Sequence, residues 1–302
     1  MKQFQKVLVG LDLTEMDQIL IEKTGKLVDL LGIEKIYFVH VEKDLALPTE
    51  VTKTYPDLLA PVDEAIERSI REKAQKFIPA KVEIDISVKE GDPMATILRW
   101  SKIKNIDLLI MGRKIVLEGS GTLSKNLAQK APCSVLFLTE NLKVKEIDNF
   151  LVPVDFSEYS HLTLSLMEEL AQKFKAKITC LHIYEVPKGY YKTGKSYEEF
   201  AQIMLKNAQK EYGEFIRKNK LPEYDCKYVL KEDKHASKYI LEIAKGLETD
   251  MILMGSRGRT DSAALLIGSV AERLVHLNYE IPMLIYKTKG ENMGFLEALF
   301  KV

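Results

Sequence analysis

The chain has 302 residues, of which 46% are hydrophobic and 29% are charged, a composition typical of globular proteins rather than of disordered or fibrous ones. Its 44 Lys and Arg residues balance 44 Asp and Glu residues, and this balance argues against a broad nucleic-acid surface, which needs an excess of basic side chains. At about 100–200 residues per domain, the length favours two domains.

Cysteine usage and the N-terminal region indicate the compartment. Cys133, Cys180 and Cys226 are an odd number and form no C-x-x-C pair, which argues against a disulfide framework or a zinc ribbon. The first apolar run ends at Asp12 with no small-residue cleavage site, so we predict no signal peptide. No apolar run approaches the roughly 20 residues of a membrane helix. We therefore expect a cytoplasmic protein that binds neither membranes nor nucleic acid.

The first predicted strand introduces a repeat. Residues 6–12 read KVLVGLD and residues 149–155 read NFLVPVD, so each apolar strand ends at an aspartate. The two aspartates, Asp12 and Asp155, are 143 positions apart. The same offset relates Gly112 to Gly255 at the ends of two later apolar strands. Such agreement indicates two copies of one structural unit. The predicted divisions are a first domain at 1–142, a second domain at 147–288 and an amphipathic C-terminal tail at 289–302.

Within each copy, short aliphatic runs alternate with stretches of helical spacing. Near-continuous apolar strands between amphipathic helices predict a parallel sheet covered on both faces. With right-handed crossovers, each copy becomes a doubly wound five-stranded α/β domain with strand order 3-2-1-4-5. Such sheets bind ligands at the carboxyl ends of the strands, near the switch in strand order. The two strand-end markers of each copy, Asp12 with Gly112 and Asp155 with Gly255, fall at this place.

Two histidines end the second predicted strands, His40 in the first copy and His182 in the second. They lie in different domains, and no other His or Cys has ligand spacing. We interpret both as core or strand-end histidines and predict no metal site. Cys133, which precedes the fifth strand of the first copy, is predicted to be simply buried.

The strand-end Asp155 allows two interpretations. It can cap the next helix through Ser157 and Glu158, or it can contact a ligand. We favour the ligand because a glycine-rich loop is predicted opposite to it.

Five aromatic residues lie between the second strand and the second helix of the second copy. They could form a lid over a ligand or pack the helix against the sheet, and helix packing is the simpler interpretation. These residues are Tyr184, Tyr190, Tyr191, Tyr197 and Phe200.

A glycine pattern, G-x2-G-x9-G-S, follows the fourth strand of the second copy at Gly255, Gly258, Gly268 and Ser269. Gly255 and Gly258 permit close backbone approach and positive φ, so that peptide N–H groups can turn towards an anion. Gly268 and Ser269 open a helix whose unpaired N–H groups and dipole favour phosphate. Ser269 can also act as an N-cap and donate its hydroxyl to a phosphate oxygen.

Two arginines, Arg257 and Arg259, lie within this loop and could add positive charge. The alternative is a strand-to-helix turn that needs glycine only for its shape. The complete spacing on the appropriate strand favours the phosphate loop.

The VPVD and LHI runs together with this loop resemble the universal stress protein family, which binds ATP or AMP through G-x2-G-x9-G-[ST]. The resemblance covers nearly the whole chain, once in each copy, as in tandem members, and implies the adenine nucleotide alpha hydrolase-like fold. It implies ATP, AMP or ADP in the second copy, usually with Mg²⁺ or Mn²⁺. The residues that it implies for nucleotide binding are Pro153, Val154, Asp155, Ile183, Gly255, Ser256, Arg257, Gly258, Gly268, Ser269 and Val270.

The first copy departs from this pattern. Ile115 stands at the position of the second glycine, and Gly112 to Gly121 spans nine residues instead of thirteen. This loop cannot easily present the same ring of N–H groups, although Asp12 leaves recognition of adenosine conceivable. We therefore predict a degenerate site at Asp12, Gly112, Gly121 and Thr122, and a pairing or scaffold role for this domain.

The fifth strands, SVLFL at 134–138 and MLIYK at 283–287, are predicted sheet edges although most of their residues are apolar. Unpaired apolar edge strands tend to pair with other strands. The resemblance to the universal stress protein family implies the same, because its members commonly dimerise through this strand. We predict that the two copies pair within the chain through these strands, and such pairs could form a homodimer.

No strong catalytic motif is found: the chain has no G-x-S-x-G, no HExxH and no Walker lysine. The leading hypothesis is a stress-response regulatory protein that binds nucleotide in its second domain, and we assign no catalytic residues. The alternatives are a slow ATPase or autophosphorylating enzyme and a nucleotide-independent interaction scaffold. For an enzyme, Asp155 and Asp261 are the carboxylates expected near the phosphates, and the candidate phosphoacceptors are Ser256, Ser262 and Ser269.

The tail is expected to dock on a domain or a partner rather than on a membrane.

Overall fold

The computed structural model describes residues 4–45, 62–114, 120–259 and 266–300. The chain divides into two compact units. One unit comprises Met1–Glu140 together with Thr288–Val302, and the other comprises Asn141–Lys287. The C-terminal tail therefore groups with the first unit.

The first unit is built on a five-stranded parallel sheet. Its strands are β1 (Lys6–Leu11), β2 (Lys35–Glu42), β3 (Glu83–Glu90), β4 (Leu108–Arg113) and β5 (Ser134–Thr139). Before the tail, its described helices are α1 (Glu15–Leu31), α2 (Val62–Phe77), α3 (Pro93–Ile103) and α4 (Ser120–Lys130).

The second unit repeats this plan. Its strands are β6 (Asn149–Pro153), β7 (Lys177–Glu185), β8 (Asp225–Lys231), β9 (Met251–Gly255) and β10 (Met283–Tyr286). Its described α-helices are α5 (Glu158–Phe174), α6 (Tyr197–Asn219), α7 (Ala236–Gly246) and α8 (Ser269–Leu277). Short 3-10 turns lie at Val144–Glu146 and Tyr190–Thr193.

Strand pairing follows the predicted doubly wound order in both units. In the first, β1 pairs with β2 and β4, β2 pairs with β3, and β4 pairs with β5, all parallel. In the second, β6 pairs with β7 and β9, β7 pairs with β8, and β9 pairs with β10, again all parallel. This confirms the α/β fold and the order 3-2-1-4-5. The first and fourth strands are neighbours whose chains leave in opposite directions, so a crevice forms at their carboxyl ends.

Local sequence explains where the elements begin and end. In β6, Phe150 to Val152 are almost fully buried, as expected for a central strand covered on both faces. Helix α1 begins after Thr14, whose side chain accepts a hydrogen bond from the Met16 amide. It ends at Gly32, whose φ of 73° is a left-handed conformation that glycine adopts without strain.

The tail adds one more helix, α9 (Met293–Phe300), which packs on α3 of the first unit. Leu296 is fully buried in this contact. Just before the helix, the Asn292 side-chain amide donates to the carbonyls of Gln129 (3.0 Å) and Ala131 (3.4 Å) at the end of α4. These bonds satisfy carbonyl groups that a helix end leaves unpaired.

Across the described ranges, none of the helices combines the length and the apolar character that a membrane span requires.

Candidate functional site

The second unit contains a cavity of about 560 Å³ at the carboxyl ends of β6, β7 and β9. This volume is within the usual range for small-molecule sites. All eleven residues that the family resemblance implied line it: Pro153, Val154, Asp155, Ile183, Gly255, Ser256, Arg257, Gly258, Gly268, Ser269 and Val270.

Asp155, directly after β6, ties the loop that follows β9 to this strand end. Its Oδ1 atom accepts hydrogen bonds from the Ser157 amide (3.1 Å) and the Ser160 hydroxyl (2.7 Å), and Oδ2 accepts one from the Arg259 amide (2.6 Å). Burial alone would raise the pKa of Asp155, but the hydrogen bonds outweigh burial and lower that pKa below its ordinary value. The carboxylate is therefore held ionised.

The alternative role for Asp155, as the cap of helix α5, belongs to another residue. Ser157 is the N-cap, and its hydroxyl oxygen accepts a hydrogen bond from the Ser160 amide at 3.3 Å. Asp155 supports this turn only indirectly, by accepting the amide of Ser157.

Arg259 joins three elements at the mouth of the cavity. Its Nε atom donates to the Asp155 carbonyl (2.9 Å), and one terminal nitrogen donates to Glu211 on α6 (2.9 Å). The guanidinium also lies 5.7 Å from the ring centre of Phe156. The sequence did not predict a role for Glu211 at this site, because it is one acidic residue among several on α6. Its position beside the loop depends on tertiary packing.

The glycine at the end of β9 is required by packing. A Cβ atom at Gly255 would lie 2.8 Å from Cβ of Tyr159 on α5. Neither Gly255 nor Gly258 is among the described glycines with a positive φ, although glycine would permit one. Close approach of helix and strand, rather than a left-handed turn, explains the glycine at position 255.

Replacement of Gly255 by Ala should therefore destabilise the protein by about 1–3 kcal/mol, the usual cost of overpacking. Gly112, its counterpart in the first unit, provides the comparison: a Cβ there would lie 2.7 Å from Cγ of the buried Met16, an atom that rotation about χ1 displaces, whereas Cβ of Tyr159 is fixed to its helix backbone. We expect Gly112→Ala to cost less than Gly255→Ala in urea unfolding. The reverse order would contradict this explanation.

Two backbone hydrogen bonds hold the two ends of the loop between β9 and α8. The Ser256 amide donates to the Tyr286 carbonyl (2.9 Å), and the Gly268 amide donates to the Ser256 carbonyl (2.7 Å). Gly268 has φ −71° and ψ 150° and is the N-cap of α8, without a side-chain hydrogen bond. The expectation that Ser269 caps the helix is wrong, because this serine is its first helical residue.

Helix α8 therefore presents an uncapped N-terminus to the cavity. Ser269, Val270 and Ala271 form its first turn and all line the cavity. N–H groups in a first turn have no partner within the helix, and the helix dipole makes this end partly positive. Such an arrangement is suited to bind an anion, above all a phosphate.

Charged side chains are balanced among the described residues that line the cavity. They are three acids and three bases: Asp155, Glu185, Glu211, Lys231, Arg257 and Arg259. Lys231 pairs with Glu185 at 2.6 Å, and Arg259 pairs with Glu211.

The aromatic stretch contributes one residue to this lining, Tyr184. Tyr190 packs instead against Tyr197 and Phe200, with ring centres 5.6 and 6.3 Å apart, and the neighbouring Tyr191 is 66% exposed. The described contacts of Tyr190 are thus with other aromatic side chains beside α6.

The first unit has a separate cavity of about 500 Å³, lined by Asp12 and Gly112 among others. Here Lys114 Nζ lies 2.8 Å from Asp12 Oδ2, whereas in the second unit the Arg259 amide occupies the corresponding position on Asp155. Gly121 and Thr122 lie in the first turn of α4 and not in the described lining.

Three other residues named from the sequence, Ile115, Asp261 and Ser262, lie outside the described residues.

Metal binding by protein groups alone has no support within the described ranges, which contain no cluster of three or more His, Cys, Asp or Glu residues arranged to hold an ion. Mg²⁺ at nucleotide sites keeps several waters and is bound by phosphates and one or two carboxylates.

Comparison with solved structures shows the same fold over the full length. A putative universal stress protein from Pseudomonas aeruginosa UCBPP-PA14 has a TM-score of 0.69 and 15% identity, and the match covers 100% of this chain and 99% of that chain. A protein of unknown function from Pseudomonas aeruginosa PAO1 has a TM-score of 0.68 and 15% identity, and the match covers the same shares of the two chains. A universal stress protein from Archaeoglobus fulgidus DSM 4304 has a TM-score of 0.58 and 16% identity, and the match covers 96% of this chain and 98% of that chain. Among curated proteins, none matches the chain.

The sequence profile of the Universal stress protein family matches twice, over residues 3–138 and 146–287. The two matches together span most of the chain and correspond to its two α/β units. The chain therefore belongs to the universal stress protein family and carries two copies of the family's domain in tandem.

Proposed function

We propose that the second unit binds an adenine nucleotide, ATP or its di- or monophosphate, and that the protein acts as a nucleotide-dependent regulator in the stress response. The observation that carries this proposal is the uncapped N-terminus of α8, which opens on a cavity of about 560 Å³. The phosphates would accept hydrogen bonds from the amides of Ser269 and Val270, with Mg²⁺ or Mn²⁺ accompanying them.

The base would lie at the other end of the cavity, against the projecting end of β7. The last β6–β7 pair is Pro153 with Leu181, whose carbonyl also accepts the Val154 amide at 2.9 Å. Backbone groups alternate in direction along a strand, so those of Ile183 point to the same side as those of Leu181, beyond the end of β6. They are available to an adenine edge, while Met204 and Ala208 of α6 supply apolar lining.

A regulatory role fits the site better than catalysis. Hydrolysis needs a group that positions water, but the carboxylates of Asp155 and Glu211 are already hydrogen-bonded to Arg259. We therefore assign no catalytic residue, and nucleotide binding would act through the loop that Asp155 and Arg259 hold together.

Pairing of the two units through their fifth strands belongs to the same proposal. Strands β5 and β10 each stand last in the strand order of their own unit and consist mainly of apolar residues. An apolar strand at the end of a strand order favours a partner strand. A crystal structure with β5 hydrogen-bonded to β10 would support intramolecular pairing, and one with the strands far apart would contradict it. Sedimentation of the intact chain would test the proposed homodimer.

Mass spectrometry of small molecules released from freshly purified protein tests the nucleotide proposal. We expect an adenine nucleotide, or, from empty protein, a rise in melting temperature on addition of ATP, because a ligand that binds only the folded state stabilises it. An empty cavity with no ATP-dependent shift would favour the scaffold alternative. Steady release of phosphate from ATP that Gly268→Asp abolishes would favour the enzyme alternative.

A further inference from the structure

The cavity of the first unit differs in chemistry from that of the second. It lies at the carboxyl ends of β1, β2 and β4 and has a volume of about 500 Å³. Its apolar lining is mainly aliphatic and includes Leu11, Met16, Leu20, Ile97 and Met111. Its charged lining residues, within the described part of the chain, are Asp12, Glu42 and Lys114.

Charge distinguishes the two cavities. Among the described lining residues, the first cavity has two acids and one base, whereas the second has three acids and three bases. A further carboxylate, Asp17, lies buried behind the first cavity and accepts the amides of Asp12 (3.0 Å) and Leu13 (2.8 Å). In the second unit the uncharged Ser160 takes that place, with its hydroxyl oxygen accepting the Asp155 amide at 3.0 Å. The first cavity is therefore the more negative, which disfavours a polyphosphate.

Lys114 is the one cation among the described lining residues, and it is already neutralised. Its ammonium lies 2.8 Å from Asp12 Oδ2, so it offers little net charge to an anion. The carboxylate of Glu42, by contrast, faces the cavity from the end of β2.

His40 provides an independent sign of a ligand. The residue is only 3% exposed and lines the cavity, and Nδ1 lies 3.1 Å from the Leu11 carbonyl. A carbonyl can only accept, so Nδ1 is the donor of this hydrogen bond. No described group forms a hydrogen bond with Nε2. Glu42 Oε2 lies 3.6 Å from Nε2, and the other oxygen of this carboxylate, Oε1, accepts a hydrogen bond from the Lys43 amide at 3.1 Å.

We propose that the cavity of the first unit binds a small organic cation, an amine or amidine on an apolar body, and excludes nucleoside polyphosphates. Its N–H groups would donate to His40 Nε2, which has no hydrogen-bond partner among the described residues, and to Glu42 Oε2, because the Lys43 amide already donates to Oε1 of that carboxylate. The aliphatic lining would cover the body of the molecule. This site is independent of the nucleotide site proposed for the second unit.

Benzamidine and benzoate test the proposal, because they have nearly the same size and shape but opposite charge. Each would be titrated into the full-length protein while the histidine side-chain ¹⁵N signals are followed, with His40 assigned from the His40→Gln variant. We expect benzamidine to shift the His40 signals in a saturable manner, and benzoate and ATP to leave them unchanged. No shift with benzamidine, an equal response to benzoate, or a response at His182 instead would overturn the proposal.

The Glu42→Gln variant tests the carboxylate, and because this side chain is half exposed its replacement is tolerated in folding. We expect benzamidine affinity to fall by about tenfold or more, as for loss of a charge-assisted hydrogen bond. The control is Glu90→Gln, at the position of β3 that pairs with Glu42, because Glu90 is outside the described cavity lining. Equal affinity in wild type and Glu42→Gln would contradict the assignment, as would an equal loss in Glu90→Gln.

Discussion

Replacement of Gly268 by Asp should reduce ATP affinity by about 100-fold or more while leaving the protein folded. The dihedral angles of this residue, φ −71° and ψ 150°, are open to any amino acid, and Asp is a favoured N-cap. Its carboxylate would accept the first-turn amides of α8, which we assign to the phosphates. Loss of one or two hydrogen bonds to a charged group, at about 1.5–3 kcal/mol each, accounts for this effect.

The matched variant is Gly268→Asn, which has nearly the same shape and caps helices about as well as Asp. Both variants should unfold at similar urea concentrations, but Asn adds no negative charge and should weaken ATP binding less. Adenosine, which lacks phosphates, should bind Gly268→Asp as it binds the wild type in a calorimetric titration. Equal ATP affinity in Gly268→Asp and wild type would refute the phosphate assignment at α8.

Replacement of Asp155 by Asn is expected to weaken nucleotide binding by about tenfold or more and to destabilise the protein by about 1–3 kcal/mol. The Asn side chain keeps the shape but loses the charge and one acceptor, so the Ser157 and Arg259 amides cannot both keep their partner. The loop after β9 would then be held less firmly against the end of β6. Calorimetric titration with ATP and urea unfolding measure the two effects.

The control is Asp12→Asn at the equivalent strand end of the first unit. It removes the negative charge that pairs with Lys114 and should lower stability, yet ATP affinity should stay within about twofold, because we place the nucleotide in the second unit. A large loss of ATP affinity in Asp12→Asn, with none in Asp155→Asn, would reverse the assignment of the two units.

The stability effect of Asp155 should depend on pH in a defined direction. The pKa of this carboxyl is lowered in the folded protein, so its contribution is fully present above the ordinary aspartate pKa of about 4. The contribution is lost as pH falls below that value towards the folded pKa. The difference in unfolding free energy between wild type and Asp155→Asn should therefore be constant near neutral pH and shrink in acid. A difference that grows in acid would contradict the role of the ionised carboxylate.

The fold was predictable because the signals that specify it are local and repeated. The runs ending at Asp12 and Asp155 are continuous apolar strands, and a buried parallel sheet needs such strands. The glycine spacing after β9 placed Gly255 and Gly268 correctly in one cavity, since a strand end and a helix start next to the switch point of the sheet must lie close together.

Other features depend on tertiary packing and could not be predicted. Glu211 reaches Arg259 because α6 crosses the cavity, and nothing in the sequence around Glu211 distinguishes it from other acidic residues on that helix. The start of α8 at Ser269 was predictable, but its N-cap is Gly268 rather than Ser269, a difference of one residue that is within the usual uncertainty of helix ends. The tail helix contains the buried Leu296, but its amphipathic pattern did not specify which unit it packs on.

A crystal structure of the full-length protein grown with ATP tests the central claim most directly. We expect one nucleotide in each chain, in the cavity of the second unit, with phosphate oxygens about 2.7–3.2 Å from the amide nitrogens of Ser269 and Val270. The cavity of the first unit should contain no nucleotide. Phosphates remote from the N-terminus of α8, or a nucleotide bound beside Asp12 in the first unit, would contradict the account.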